Sequence, residues 1–462
     1  MVAQFQGPEG VERLWVDFGA GRVALVATNV GERLAGHLEA PDPHGSFSAA
    51  QDFVTGQKGA PSGLASLDEY GRVPADQLSV CPAGSYSPSG WGAHWKAARA
   101  STLTGGKARI IVVGGSTAQG YYATNLHSGG WVGSIRTALQ AQWGNGGSGM
   151  FSASRSATYI SGDSDAAAVA AWKGNGSILT QSGLWSLGES NYGPGATYLY
   201  ADTTNASLTF KVTGSTVRIF TLTGESARAG YTYTIDSGAP VAVADAGGSA
   251  TTIQVVSASG LSSAQHTVTI TWAGTASGTN QSLSVVGVSG ENSSGIVVDN
   301  LAKAGGRASA YDKPEASALN SVWNGGKDYP ADLVIFTADP SDAAAGTSGD
   351  AWAKSVAKYF QAVKDANKGK TDLLLVLPHL GKHDVSNYVY QDYVTRARGI
   401  ADAYGAAVIN LWPIGRNSWD YWNDLGYWGN PVEVGQPGPD SVHLSDAGHS
   451  FIASQILPLL NP

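Results

Sequence analysis

Apolar residues fall into two kinds of pattern along this chain. Ile110, Ile111, Val112 and Val113 run without a polar break into Gly-Gly-Ser, the mark of a strand buried on both faces. Continuous apolar runs recur at 296–298 (ending in Asp299-Asn300), at 333–336 (ending in Thr337) and at 373–377 (closed by Pro378), and Ala407–Leu411 reads as a fifth strand. Helical stripes lie between them. Trp131, Ile135, Leu139 and Trp143 share one helix face, after which the pattern lapses. Trp352, Val356, Phe360 and Val363 form a second stripe, and Tyr393, Ala397, Ile400 and Ala401 a third. Ser445 stands where it can cap a last helix carrying Phe451, Ile452 and Ile456. Five buried strands alternating with helices predict an α/β fold with a doubly wound parallel sheet.

The period changes between about 160 and 295. Leu208, Phe210 and Val212 alternate with polar residues, as do Val217 and Ile219, Tyr231, Tyr233 and Ile235, and Val268, Ile270 and Trp272. Turn residues separate these runs at short spacing, as in TIDSGAP. That predicts an antiparallel β-sandwich or jelly roll inserted into the α/β domain. The expected division is an N-terminal region at 1–80, the first part of the α/β domain at 81–158, the inserted β domain at 159–295 and the second α/β part at 296–462.

Residues 1–80 read differently. A short β-like start, with Leu14, Val16 and the run 23–26, gives way to polar, Pro- and Gly-containing sequence. Charged residues make up only 14% of the 462, which suits turn-rich β structure and argues against a coiled coil or a disordered chain. The net charge of −8, without any Lys/Arg run, speaks against a nucleic-acid partner. One cysteine, Cys81, rules out an internal disulfide framework. MVAQFQGPEGVERLWV lacks the features of a secretory signal, and no stretch reaches the roughly 18 apolar residues of a membrane span. Synthesis in the cytoplasm without a signal peptide is the expectation.

Ser116, in GGSTAQG, is the first candidate for chemistry. GGS also occurs at 146–148 and 247–249, so the tripeptide alone leaves a plain turn serine open. The buried run before residue 114 sets this copy apart, because open parallel sheets place their sites at strand carboxyl ends. A serine hydroxyl needs a base, and the base an orienting group. Asp440 and His443, in PDSVHLSDAGH, stand three residues apart just before the final helix and suit those roles.

Together these segments resemble the SGNH (GDSL-type) hydrolases. The family's first block, G-D-S-x-x-x-G, is met by residues 114–120 with Gly115 in place of Asp. Its D-x-x-H block is met by Asp440 and His443, followed by the SDAGH run at 445–449. The resemblance implies a flavodoxin-like SGNH sheet, acyl transfer by a Ser116–Asp440–His443 triad, and no metal or other cofactor. It also implies an oxyanion hole from the Ser116 and Gly305 amides, since Asn300 and Gly305 keep the spacing of the second block. The third block, G-x-N-D, falls on Asp339-Pro340-Ser341-Asp342, so Ser341 stands where the family has the oxyanion-binding Asn. Loss of such a donor costs about 10²–10³ in kcat.

GLASLDEYGRVPADQLSV at 63–80 is similar to a connector common in bacteriophage tail and fibre proteins. That resemblance implies a minor tail protein whose N-terminal region attaches to the virion beside other tail proteins. Its enzyme would act outside the cell on acylated glycan or lipid of the host envelope. Tail fibres are often trimers, which makes a homotrimer an expectation, although no trimerisation helix is visible. A non-catalytic receptor-binding protein with a degenerate hydrolase fold and a cellular carbohydrate esterase stay open as alternatives.

Other candidates carry two readings each. Trp419, Tyr421 and Trp422, in LWPIGRNSWDYWNDLGYWG, and His379, in PHLGKHD, are candidate substrate-binding residues, the aromatics because their faces stack on sugars. The aromatics equally suit a packed domain edge. His379, His383 and Asp384 read as metal ligands or as loop residues at a pocket rim. Asp339 and Asp342 could hold a cation, but two carboxylates make a poor site.

Overall fold

The computed structural model describes the strand residues 4–5, 13–17 and 22–26, and residues 84–461 apart from 154–178, 190–191, 225–227, 275–280, 313–328, 339, 378–386, 415–417 and 430–441. The chain divides into two compact units, 1–79 and 80–462. In the first, strands Gln4–Phe5, Arg13–Asp17 and Arg22–Val26 pair antiparallel in chain order.

The second unit is built on parallel strands in the spatial order Gly295–Asn300, Lys107–Val113, Leu333–Thr337, Asp372–Leu377 and Ala407–Asn410. Counted along the α/β segments this is 2-1-3-4-5, the flavodoxin-like order. Its switch point lies between Lys107–Val113 and Leu333–Thr337. The predicted runs all became strands because both sheet faces are covered. Ile110 and Val112 face the helices Ala93–Ser101, Trp131–Trp143 and Asp446–Leu460. Ile111 and Val113 face Gly349–Ala366 and Asn387–Tyr404. Each of those four strand side chains is at most 1% exposed, worth about 1.5–3 kcal/mol apiece relative to exposure.

The helical stripes pack as their spacing predicts. Trp352, Val356, Phe360 and Val363 are buried, as are Tyr393, Ala397, Ile400 and Ala401. Ser445 caps the last helix, its hydroxyl accepting from the Gly448 amide at 3.2 Å. The short strand Gly84–Tyr86 closes the Ala407–Asn410 edge antiparallel.

Strands between Leu179 and Glu291 form an antiparallel sandwich. One layer has the order Val241–Val243, Tyr231–Ile235, Gln265–Trp272, Ser207–Thr213, Leu179–Ser182. The other contains Thr252–Ser259, Thr216–Thr223 and Leu283–Glu291, with Thr197–Ala201 and Ser186–Glu189 alongside. Phe210, Val212, Tyr231, Val268 and Ile270 from the first meet Val217, Ile219, Val285 and Val288 from the second.

The second layer is no separate sheet. Gly149–Ser152, just where the sequence pattern lapses, pairs antiparallel with Leu283–Glu291 and joins Gly295–Asn300 in parallel at Phe151 and Asn300. Sandwich and α/β core therefore share one continuous sheet. Leu283–Glu291 is buried along its whole length because it has neighbours on both faces and both edges.

Charge is buried at this junction. Arg109 is 4% exposed, contacts Asp299, reaches Glu291 at 2.7 Å and lies 3.7 Å from the Tyr329 ring centroid. Asp299 also accepts from Tyr329 Oη at 2.8 Å and the Met150 amide at 2.7 Å. Burial pushes the Glu291 carboxyl up, but Arg109, Lys107 and Arg218 outweigh it and hold it down at about 2.

Candidate active site

The chain must turn sharply after Val113 to bring Ser116 up at the strand's carboxyl end. Gly114 permits this with φ +148°. A Cβ there would lie 2.7 Å from the Thr337 carbonyl oxygen of the neighbouring strand. Ser116 then opens the helical turn Ser116–Gln119, and its side chain is enclosed at 3% exposure.

The segment entering the last helix brings His443 to it. Val442 and Leu444 turn inward and are 7% and 0% exposed, so the residue between them faces the other way. The Gly429 amide donates to the His443 carbonyl at 2.9 Å, and Trp428 bridges Leu444. Held by these contacts, His443 places Nε2 3.0 Å from Ser116 Oγ. An imidazole at that distance can take the hydroxyl proton as the oxygen attacks an electrophilic carbon. Asp440 lies outside the described residues, as do His379, His383, Asp384 and Asp339.

The second block lies against the Ser116 turn. Asn300 Nδ2 donates to the Ala118 carbonyl at 2.7 Å, and Gln119 Oε1 accepts from the Ala304 amide. The Lys303 amide and Tyr311 Oη both donate to the Gly114 carbonyl, at 3.0 and 2.6 Å. Gly305, itself exposed, sits in this loop at φ +69°, a conformation that costs glycine little. Ser341 lies in the helical turn Pro340–Ala344. Its neighbour Asp342 is 2% exposed and accepts from the Ala308 amide at 2.9 Å, so this carboxylate anchors the Gly305 loop. Among the described residues no cluster of His, Cys, Asp and Glu could hold a metal ion.

The aromatic candidates separate by burial. Trp422 is 1% exposed and packs against Tyr427, Trp428 and Phe451, so its faces are turned to the core. Trp419 is half-buried and stacks on Trp428 at 5.7 Å, and Tyr421 is half-buried against the same cluster. Among the described residues, the aromatic rings beside His443 are Tyr121 and Tyr122 instead, at centroid distances of 4.6 and 5.4 Å. They follow GGSTAQG directly, yet two tyrosines in a turn carry no periodic signal. The SDAGH run is visible in the sequence but its role is not. Asp446 Oδ1 accepts from the Thr124 amide at 2.8 Å. His449, fully buried, accepts at Nδ1 from the Trp131 amide at 3.4 Å and at Nε2 meets the Tyr121 carbonyl at 3.1 Å. The last helix thus fixes the segment that follows Ser116.

No protein-family model matches the chain, and no curated protein does. Solved structures do resemble it. A peptidoglycan O-acetylesterase aligns with a TM-score of 0.55 at 16% identity, over 79% of this chain and 95% of its own. A family two carbohydrate esterase from Cellvibrio japonicus (TM-score 0.24, 11% identity, 61% of this chain and 98% of its own) also aligns. So does a two-domain esterase active on acetylated mannans (TM-score 0.26, 17% identity, 37% of this chain and 38% of its own). At 16% identity what the chain shares with the peptidoglycan O-acetylesterase is the fold, a mixed α/β architecture consistent with an SGNH-like sheet carrying an inserted β domain.

Proposed function

We propose that this chain is a serine esterase of the SGNH type that hydrolyses acyl esters on a cell-envelope glycan. The observation that carries the reading is the 3.0 Å approach of His443 Nε2 to Ser116 Oγ at the switch point of the sheet. In the proposed cycle His443 takes the Ser116 proton as Oγ attacks the ester carbonyl. The amides of Ser116 and Gly305, with Ser341, stabilise the oxyanion. The alkoxide leaves with the proton from His443, and water then releases the acid by the same steps in reverse order. Asp440 would orient His443. Trp419, Tyr421 and His379 would border the glycan.

An ester of a glycan is preferred over one of a lipid because a peptidoglycan O-acetylesterase aligns over 79% of the chain. The tail-like connector at 63–80 supports placing the activity on a phage tail, with the N-terminal unit attached to other tail proteins and the host envelope as target. A second reading, a receptor-binding protein with a degenerate hydrolase fold, draws on Ser341 in the place of the oxyanion Asn. Purified chain incubated with isolated host envelope decides between them. Release of short-chain acid by the parent but not by Ser116→Ala supports hydrolysis. Binding without release, and no labelling by a fluorophosphonate probe, supports the second reading.

A further inference from the structure

Tyr122 has φ +65°, left-handed backbone that a bulky L residue enters only at a cost and glycine enters freely. Such strain persists where the surroundings over-determine it, and it clusters at functional sites. Here the surroundings are explicit. On one side the Tyr121 carbonyl meets His449 and the Thr124 amide donates to Asp446, both on the last helix. On the other, Gly429 lies so close that a Cβ there would fall 2.9 Å from the Tyr122 Cβ. The same Gly429 donates its amide to the His443 carbonyl. The Tyr122 ring lies tilted at 39° against the His443 imidazole, 5.4 Å between centroids, and meets Tyr121 edge-on at 5.1 Å.

A glycine at 122 would satisfy the backbone without strain, so the side chain is what the position retains. We infer that Tyr122 is a positioning residue: its ring walls the His443 imidazole so that Nε2 stays aimed at Ser116 Oγ. The inference rests on the esterase reading for its catalytic consequence, but not for the ring contact itself. Aromatic pairs at such separations favour one mutual orientation over free rotation. The cost of the strained backbone is then the cost of keeping the base in line between turnovers.

The test compares Tyr122→Gly with Tyr122→Phe in the full chain. The glycine variant is expected to melt at the parental temperature or above, because strain is relieved, while kcat on p-nitrophenyl acetate falls about tenfold or more and KM stays near the parental value. Tyr122→Phe should restore kcat to within about twofold. In parallel, ¹⁵N-histidine NMR, with the His443 signals assigned by their loss in His443→Gln, reads the ring directly. The His443 ring signals should shift or broaden in Tyr122→Gly and keep the parental pattern in Tyr122→Phe. Unchanged His443 signals in the glycine variant, or equal perturbation by Phe and Gly, would overturn the inference. If the parent itself cleaves no ester and takes no fluorophosphonate, the esterase reading fails, and the NMR comparison still decides the role of Tyr122.

Discussion

Ser116 and His443 are 327 positions apart in the chain and 3.0 Å apart at Oγ and Nε2. One sits at the carboxyl end of the strand Lys107–Val113 and the other at the entrance to the last helix, so the contact is made by the sheet topology itself. Groups that act as one unit lose activity non-additively. Ser116→Ala should therefore lower kcat/KM on p-nitrophenyl acetate by about 10⁴–10⁶, His443→Ala should fall in the same range, and the double variant should be no slower than the worse single one. A double variant that loses the product of both effects would mean the two side chains act independently.

Most of that topology is legible in the sequence. Runs such as 110–113 and 373–377 are apolar because both faces of a parallel strand are covered, and the stripe Trp352, Val356, Phe360, Val363 repeats because one helix face meets the sheet. The shared sheet is not legible. Gly149–Ser152 is short and contributes only Met150 and Phe151 as large apolar side chains, so its pairing with Leu283–Glu291 is a long-range fact with no local signature. The same holds for Tyr311. Its hydroxyl reaches the Gly114 carbonyl across 197 positions, and a lone tyrosine in a loop looks like any other. Trp422 shows the reverse case, where an aromatic-rich segment suits either a sugar platform or a packed edge and burial alone separates the two.

The Gly305 loop depends on Asp342. Its buried carboxylate accepts the Ala308 amide at 2.9 Å, and removing it leaves a buried N–H without that partner. Asp342→Ala is expected to cost about 1–3 kcal/mol of stability and to lower kcat more than it raises KM, since the loop carries a proposed oxyanion donor. Urea denaturation measures the first effect and steady-state kinetics the second. Asp342→Asn, which keeps an acceptor oxygen, should lose less of both.

The buried charges at the sheet junction predict behaviour in acid. The Glu291 carboxyl is held at about 2, below its ordinary 4.5, so its contribution is complete above pH 4.5 and disappears as the pH falls towards 2. Melting temperature should drop through that interval, and Glu291→Gln should flatten this part of the slope. Arg109→Met is harsher, because it leaves Asp299 and Glu291 buried without the cation they share. Breaking such a set by removing one partner costs about 3–5 kcal/mol. If Arg109→Met proves as stable as the parent at pH 7, the cluster contributes nothing to the junction.

The sandwich carries a second titrating pair with the opposite sign on its basic side. His266 is buried, with Nδ1 2.7 Å from Asp236 Oδ2 and Nε2 2.9 Å from the Ser262 carbonyl. With an acceptor at each ring nitrogen, the imidazolium donates twice. Burial pulls the His266 pKa down, but Asp236 and the Ser262 carbonyl outweigh it and raise it above the ordinary 6.5. Hydrogen bonds from His266 and the Thr267 amide hold Asp236 below its ordinary 3.8. A raised histidine stabilises fully below 6.5, and that stability is lost as the pH rises through the folded value. A depressed carboxylate stabilises above 3.8 and is lost below. The pair should therefore contribute most between about pH 4 and 6.5, and protection of the Tyr231–Ile235 and Gln265–Trp272 strands should weaken as the pH is raised above 6.5. Hydrogen exchange of those amides, corrected for the intrinsic pH dependence of exchange, measures this. His266→Gln should abolish the alkaline decline, and a decline that persists in that variant would assign it to another group.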